Sequence, residues 1–221
     1  MASWIMHLRI AERFLQSLPD VDETAFVFGH LAPDSGVPAG DSFDPPKSVS
    51  HCLGRDENGR FVFRYGDFIS QYFTLQQRAA YDRRTDSFFL GYLMHLITDS
   101  LWAQRIHRPA IHRNLDAWKR DPYALVLLFK RDWYDVDFLY LRDQPPLRAF
   151  EIYRRTEAFE NTFLPFFPPD AFTAKRRHIL AFYAEERGNL NRAYPYLTPQ
   201  RAEEFVGEAV AAIRQEMETK E

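Results

Sequence analysis

The stretch GYLMHLITDSLW, residues 91–102, constrains the fold of this chain most strongly, because it places a histidine and an aspartate inside an apolar run. It lies in a segment, 86–106, that is apolar nearly all round, a pattern that predicts a buried helix. His95 and Asp99 are one helical turn apart and share one face of that helix. A buried carboxylate without a partner is costly and tends to be protonated, so Asp99 needs a partner.

Three arrangements are compatible with this spacing. His95 and Asp99 could bond only to each other and hold the core together. They could bind a metal ion, as the two histidines of an HExxH motif do from successive turns of a helix. Asp99 could also orient His95 as a general base. The spacing alone leaves all three open.

Three further polar residues are candidate partners. His7 lies on the inward side of the first predicted helix, Asp34 stands between a proline and a glycine in APDSG, and His51 lies in SVSHCLG. Each has an ordinary explanation when taken alone, as a helix-face histidine, a turn residue or a loop histidine. Together with His95 and Asp99 they form a set of imidazoles and carboxylates that suits zinc or another borderline divalent ion.

The rest of the sequence predicts an all-α fold. Residues 4–18 carry apolar side chains at alternating steps of four and three, which predicts a first helix. Glycines and prolines concentrate in 27–66, which predicts a long irregular insertion with a hairpin turn at Asn58-Gly59. Further helices are predicted over 68–80, 86–106, 110–119, 122–142, 146–163, 171–190 and 199–219. A chain of 221 residues can build one good-sized core, so a single domain over 1–221 is expected.

Composition and charge argue against several classes of function. The net charge is −3, and lysine and arginine form no basic stripe, so no nucleic-acid partner is expected. No apolar run reaches the length of about 18 residues that a membrane span needs, so stable membrane insertion is not expected. Charges interrupt the N-terminal segment where a signal peptide is apolar, and the single cysteine, Cys52, suits a reducing compartment, so a cytoplasmic location is expected. The oligomeric state is not indicated.

Four segments in the same order resemble the zinc-dependent phospholipase C family, which includes bacterial secreted phospholipases C and the phospholipase domain of glycosylphosphatidylinositol phospholipase D. They are WIMHLRIAERFL, FGHLAPDSG, SVSHCLG and FFLGYLMHLITDSLW, and they span about residues 4–102. The resemblance implies a single multi-helix domain of the phospholipase C/P1 nuclease type, built around a metal cluster.

The resemblance also implies a site and a reaction. Asp34, His51, His95 and Asp99 would hold one zinc ion, and His7 would bind a neighbouring ion that Asp99 could bridge. Asp34 would also be the catalytic general base. The reaction would be metal-dependent hydrolysis of a phosphodiester, with a phospholipid or a smaller phosphoester as substrate.

A second His-acid pair of the family would fall after Asp99 in this sequence. His112 and Asp116 have the spacing of one helical turn and are predicted as further metal ligands, in competition with a solvated helix start. Asp132 or Asp135 could instead supply a missing ligand or hold a ligating histidine.

Two other functions remain compatible with the sequence. HD-type phosphohydrolases, which act on nucleotides, also place His/Asp pairs on helices, but this sequence lacks their adjacent His-Asp dipeptide. A non-catalytic protein derived from the same fold could retain a structural zinc ion held by four protein ligands. Metal content per chain would help to separate such a protein from an enzyme.

Overall fold

The computed structural model describes residues 1–218, and twelve of the segments it describes are α-helices. They are α1 (Trp4–Leu15), α2 (Glu23–Leu31), α3 (Lys47–Ser50), α4 (Tyr65–Tyr72), α5 (Leu75–Ala80), α6 (Arg83–Trp102), α7 (Arg108–Arg113), α8 (Leu115–Arg120), α9 (Pro122–Asp143), α10 (Arg148–Arg155), α11 (Ala171–Ala184) and α12 (Pro199–Glu218). Two antiparallel hairpins pair β1 (Val37–Ala39) with β2 (Ser42–Asp44) and β3 (Leu53–Arg55) with β4 (Phe61–Phe63). The predicted all-α fold is confirmed.

Helix α6 runs through the hydrophobic core. Asp82 caps its first turn, because the Asp82 side chain accepts a hydrogen bond from the Thr85 N–H. Every residue from Ser87 to Asp99 is buried, as the apolar pattern predicts. The polar pair of residues 95 and 99 is therefore enclosed on all sides by protein. No helix within residues 1–218 is long and apolar enough to cross a membrane.

Helices α2 and α6 lie close together because each contributes a glycine, Gly29 and Gly91, where the two backbones meet. A Cβ on Gly29 would lie 2.1 Å from the Phe88 carbonyl oxygen, and a Cβ on Gly91 would lie 2.2 Å from the Phe26 carbonyl oxygen. Neither point leaves room for a side chain, since atoms in a protein interior are already close-packed. This approach fixes α2, and the turn that follows it, against the helix that carries His95.

The region 27–66 is more regular than the sequence indicated. Its first residues, 27–31, belong to α2 and are buried. The glycines and prolines that follow them favour an irregular segment and conceal this helix in the sequence. A short 3₁₀ helix, Ala32–Ser35, comes next, followed by the two hairpins and α3. The hairpin predicted at Asn58-Gly59 is confirmed, and Gly59 has the positive φ of +74° that this turn needs.

Several predicted helices differ from the observed ones where side chains bond to the backbone. The helix predicted over 68–80 is divided, because Thr74 and Gln77 form a capping box that begins α5. The helix predicted over 146–163 ends at Arg155. Beyond it the Asn161 side chain donates hydrogen bonds to two loop carbonyl groups, those of Leu164 and Phe167. These bonds stabilise a loop in place of further helical turns.

Candidate metal centre

Four segments of the chain converge on one buried cluster. Helix α1 contributes His7, the 3₁₀ helix contributes Asp34, the end of α3 contributes His51, and α6 contributes both His95 and Asp99. The Asp34 side chain is 11% exposed, whereas the other four side chains are at most 1% exposed. The structure therefore brings together all five residues that the sequence and the resemblance single out as a first set of ligands.

Asp99 contacts all three histidines of this cluster. Its Oδ1 lies 3.4 Å from His7 Nε2, and its Oδ2 lies 3.5 Å from His95 Nε2 and 3.8 Å from His51 Nε2. His51 Nε2 also lies 3.2 Å from Asp34 Oδ1. Atoms that bind one tetrahedral zinc ion at about 2.1 Å are about 3.4 Å apart. The observed spacings fit ligand atoms that share an ion.

His95 is held in the tautomer that leaves its Nε2 lone pair free. Its Nδ1–H donates a hydrogen bond of 2.7 Å to the His30 carbonyl group. The Nε2 lone pair therefore faces Asp99 Oδ2, and neither atom has a hydrogen-bond partner within residues 1–218. Burial alone lowers the pKa of His95, but contact with Asp99 outweighs it and raises the pKa. A cation between these two acceptors, either a proton or a metal ion, removes their repulsion.

His7 is also suited to bind a metal ion. Its ring stacks on that of His95, with centroids 3.8 Å apart and planes within 2° of parallel. Neither ring nitrogen of His7 has a hydrogen-bond partner in the part of the chain that the structure describes. Burial and the nearby His95 lower the pKa of His7 to about 4. The ring is therefore neutral at physiological pH and has a lone pair available for a metal.

Neighbouring polar groups hold the other ligands in place. The Ala2 N–H donates a 2.7 Å hydrogen bond to Asp99 Oδ1. The Ser50 hydroxyl lies 2.9 Å from His51 Nδ1 and can donate or accept, so it can hold either tautomer of that ring. Burial alone would raise the pKa of Asp34, but the hydrogen bond from His51 brings the pKa below its usual range. Asp34 is therefore ionised, the state that metal binding requires.

A cavity of about 230 Å³ borders the cluster on the side of Asp34 and His51. Three lysines of different helices also line it, Lys47 at the start of α3, Lys130 on α9 and Lys175 on α11. A small ligand in this cavity would contact the cluster without entering the core.

The structure does not bring His112 and Asp116 to the cluster. Both residues are exposed, and they lie on two different short helices. The chain leaves the helical conformation between them at Asn114, where φ is −129° and ψ is 36°. The spacing of one helical turn therefore does not place them on one helix face.

Asp132 and Asp135 contact an arginine in this structure. Asp132 accepts hydrogen bonds from the Arg192 guanidinium and the Tyr196 N–H, at 2.7 and 2.9 Å. Asp135 accepts from the same guanidinium at 2.6 Å. These two carboxylates stabilise the segment between α11 and α12 against α9.

Two histidines near the cluster were not selected as ligands from the sequence. His30 is fully buried, and its ring nitrogens have no hydrogen-bond partner within residues 1–218. The sequence predicts an irregular segment from residue 27, so it does not place His30 on a helix. His107 lines the cavity, and burial lowers its pKa to about 4. A π-helical turn, Ala103–His107, follows α6, so α-helical spacing could not place this residue.

The fold and the cluster define a helical domain with a buried site of imidazole and carboxylate donors. The family model described as zinc dependent phospholipase C matches residues 6–150. The match covers more than half of the chain, which therefore belongs to that family and has the fold type expected from the resemblance. No curated protein and no solved structure matches the chain.

The clustered residues fit zinc, the metal in the description of the family. Neutral imidazole nitrogens and carboxylate oxygens are donors that zinc takes. The ligand atoms of His7, Asp34 and His95 lie within 4.8 Å of one another, as do those of His51, His95 and Asp99. His95 belongs to both groups, so the arrangement is compatible with one ion or with two neighbouring ions.

Proposed function

We propose that this protein is a zinc-dependent phosphodiesterase that hydrolyses a phospholipid or a smaller phosphoester. The observation that carries the proposal is the convergence of His7, His95 and Asp99, whose buried acceptor atoms face one another beside a cavity that reaches Asp34. Membership of the zinc-dependent phospholipase C family supports the same reaction.

The residues of the cluster divide into two roles under this proposal. His7, His51, His95 and Asp99, together with Asp34, would hold the metal. Bound zinc supplies Lewis acidity, which neutralises charge on a phosphate and lowers the pKa of water. Asp34 lines the cavity, so its carboxylate can reach an attacking water molecule there and act as the general base.

A structural metal site is the second candidate. The complete burial of His7, His95 and Asp99 favours it, because structural zinc sites are closed by four protein ligands. The cavity beside Asp34 favours catalysis, because a catalytic zinc site needs an open position.

Metal analysis combined with a hydrolysis assay tests both candidates. The protein would be purified without chelator or histidine tag, and zinc content and hydrolysis of bis(p-nitrophenyl) phosphate would be measured. We expect zinc and hydrolysis in the wild type, loss of both in His95→Ala, and retention of both in the exposed control His112→Ala. Zinc without hydrolysis of any diester would indicate a structural site. No zinc after reconstitution would contradict both candidates.

A further inference from the structure

The three lysines that line the cavity form no close ion pair with a carboxylate of residues 1–218. Within residues 1–218, no aspartate or glutamate lies within 4.0 Å of the ammonium group of Lys47, Lys130 or Lys175 in an ion pair. Asp34 is the single carboxylate among the residues described as lining the cavity. The cavity therefore has an excess of positive charge next to the cluster.

Two of these lysines are substantially enclosed, and their charges act on one another. Burial lowers the pKa of Lys47; the charges of Asp34 and Asp99 oppose this effect, and the charge of Lys130 adds to it. Burial also lowers the pKa of Lys175; the charge of Asp34 opposes this effect, and the charge of Lys47 adds to it. Lysines of three separate helices thus line one cavity. For Lys47 and Lys175 burial disfavours the charged form, and a bound anion would offset that cost.

Two aromatic rings that line the cavity, those of Phe43 and Trp4, already face ammonium groups. Lys47 Nζ lies 5.0 Å from the centre of the Phe43 ring, and Lys175 Nζ lies 5.9 Å from that of the Trp4 ring. A quaternary ammonium group such as choline is usually held by aromatic faces. A cationic alcohol group would meet lysines at the faces of Phe43 and Trp4 and would be repelled there.

From this arrangement we infer that the site selects a phosphodiester whose alcohol group carries a second anionic group, with Lys47, Lys130 and Lys175 as specificity-determining residues. The inference rests on the proposed function, since the diester phosphate is taken to lie at the metal cluster. The second anion would then contact the lysines of the cavity, each as a charge-assisted hydrogen-bond donor. The charged alcohol can belong to a soluble diester or to a lipid headgroup.

Hydrolysis of three matched soluble diesters tests the selectivity. Glycerophosphoinositol 4-phosphate carries the second anion, glycerophosphoinositol lacks it, and glycerophosphocholine carries a cation. We expect kcat/KM to be at least about tenfold higher for the first than for the other two. Lys130→Gln and Lys175→Gln should each remove most of that preference. The control Lys119→Gln, an exposed lysine of α8 outside the cavity, should keep it.

Vesicles identify the source of the charged alcohol. The substrate would be phosphatidylinositol 4-phosphate in phosphatidylcholine vesicles, compared with pure phosphatidylcholine vesicles. Preference for phosphatidylinositol 4-phosphate over phosphatidylcholine, without a preference among the soluble diesters, would indicate that the natural substrate is a lipid. Preference for the charged soluble diester would indicate a free phosphoester. Both outcomes support the inference. Equal hydrolysis of the charged and choline substrates, unchanged in the lysine variants, would overturn it and leave the proposed function intact.

Ligand binding, measured without hydrolysis, separates the inferred selectivity from the proposed function. Calorimetry would compare inositol 1,4-bisphosphate, inositol 1-phosphate and phosphocholine with the zinc-loaded protein. If no diester is hydrolysed but the bisphosphate binds at least about tenfold more tightly, and loses this advantage in Lys175→Gln, the selectivity stands and the proposed function fails. If no diester is hydrolysed and the three probes bind alike, the selectivity is overturned as well.

Discussion

At the scale of single residues, Asp99 explains why an apolar helix contains polar side chains. Its two oxygens face the Nε2 atoms of His7, His51 and His95, within 3.8 Å in each case. Replacement by asparagine keeps the shape of the side chain but removes the charge that draws a cation to these nitrogens. We predict that Asp99→Asn lowers zinc affinity at least about 100-fold. Competition with a chromophoric chelator measures the change.

The matched control for this variant is Asp116→Asn. Asp116 is exposed and lies outside the groups of ligand atoms that the structure brings together. Its replacement should leave zinc affinity unchanged. Equal affinity of Asp99→Asn and the wild type would rule out Asp99 as a metal ligand.

Asp137 is a second buried carboxylate, and it affects stability through its protonation. Ser3 and Tyr183 each donate a hydroxyl hydrogen bond to it, at 2.8 and 2.6 Å. Burial outweighs these bonds and raises the pKa of Asp137 from 3.8 to about 7. Because the folded state then binds a proton more tightly than the unfolded state, this group lowers stability as pH rises from about 4 to about 7.

We therefore predict that Asp137→Asn flattens the dependence of stability on pH. The loss attributable to Asp137 is at most about 4 kcal/mol across this interval, and the amide, which does not ionise, would avoid it. Urea unfolding at about pH 5 and about pH 8 would measure the free energy of unfolding of both proteins. An equal decline between the two pH values in variant and wild type would show that Asp137 does not titrate there.

The sequence revealed the ligands to different extents. His95 and Asp99 were recognisable from spacing alone, because a polar pair on one face of an apolar helix needs a partner. Asp34 and His51 were candidates only as members of a larger set, since a turn aspartate and a loop histidine have ordinary explanations, and the family resemblance assigned them to one metal ion. The lysines of the cavity could not be found from the sequence, because Lys130 and Lys175 meet only through the packing of separate helices.

At the scale of secondary structure, the contact between α2 and α6 holds the site together. Gly91 lies one turn before His95, and its Cα hydrogen occupies the space where a Cβ would be 2.2 Å from a backbone oxygen. We predict that Gly91→Ala destabilises the protein by about 3 kcal/mol, because backbone must move to admit the methyl group. It should also weaken zinc binding, since the shift is transmitted along α6 to His95.

Gly207→Ala is the matched control, since Gly207 is an exposed helical glycine with open space around its Cα. Alanine there should stabilise the protein by about 0.5–1 kcal/mol. Chemical denaturation compares the two variants. Similar effects of both substitutions would contradict the close approach of α2 and α6.

Helices were predictable where a long apolar pattern decided their structure, as in α6 and α9. The prediction 122–142 agrees with Pro122–Asp143 to within one residue at each end. The sequence pattern does not predict helix α2, because the helix has only nine residues between its capping residue, Asp22, and the turn that begins at Ala32. Its apolar residues are also consecutive and show no helical period. The break at Asn114, where φ is −129° and ψ is 36°, has no strong sequence signal.

At the scale of the whole molecule, the cluster joins segments that are far apart in sequence. Its ligands come from α1, from the chain around α3, and from α6, so a bound ion would link the N-terminal helix, the hairpin region and the core. An ion that binds the folded state alone stabilises it by an amount set by its concentration relative to Kd. At a concentration of about 100 times Kd this is about 2.7 kcal/mol.

We therefore predict that removal of zinc lowers the thermal midpoint of the entire fold by about 5–10 °C, since about 1 kcal/mol corresponds to about 2–4 °C in a domain of this size. Calorimetry would measure the thermal midpoint of metal-free and of zinc-loaded protein, and each should unfold in a single transition. Asp116→Asn should show the wild-type difference. Asp99→Asn should show little difference, because the same zinc concentration would not exceed its weakened Kd. If the wild type unfolded at the same temperature with and without zinc, the cluster would not bind the ion in the folded state. The buried acceptors of His95 and Asp99 would then have to be satisfied by a proton, and their stabilising effect would depend on pH instead of on zinc.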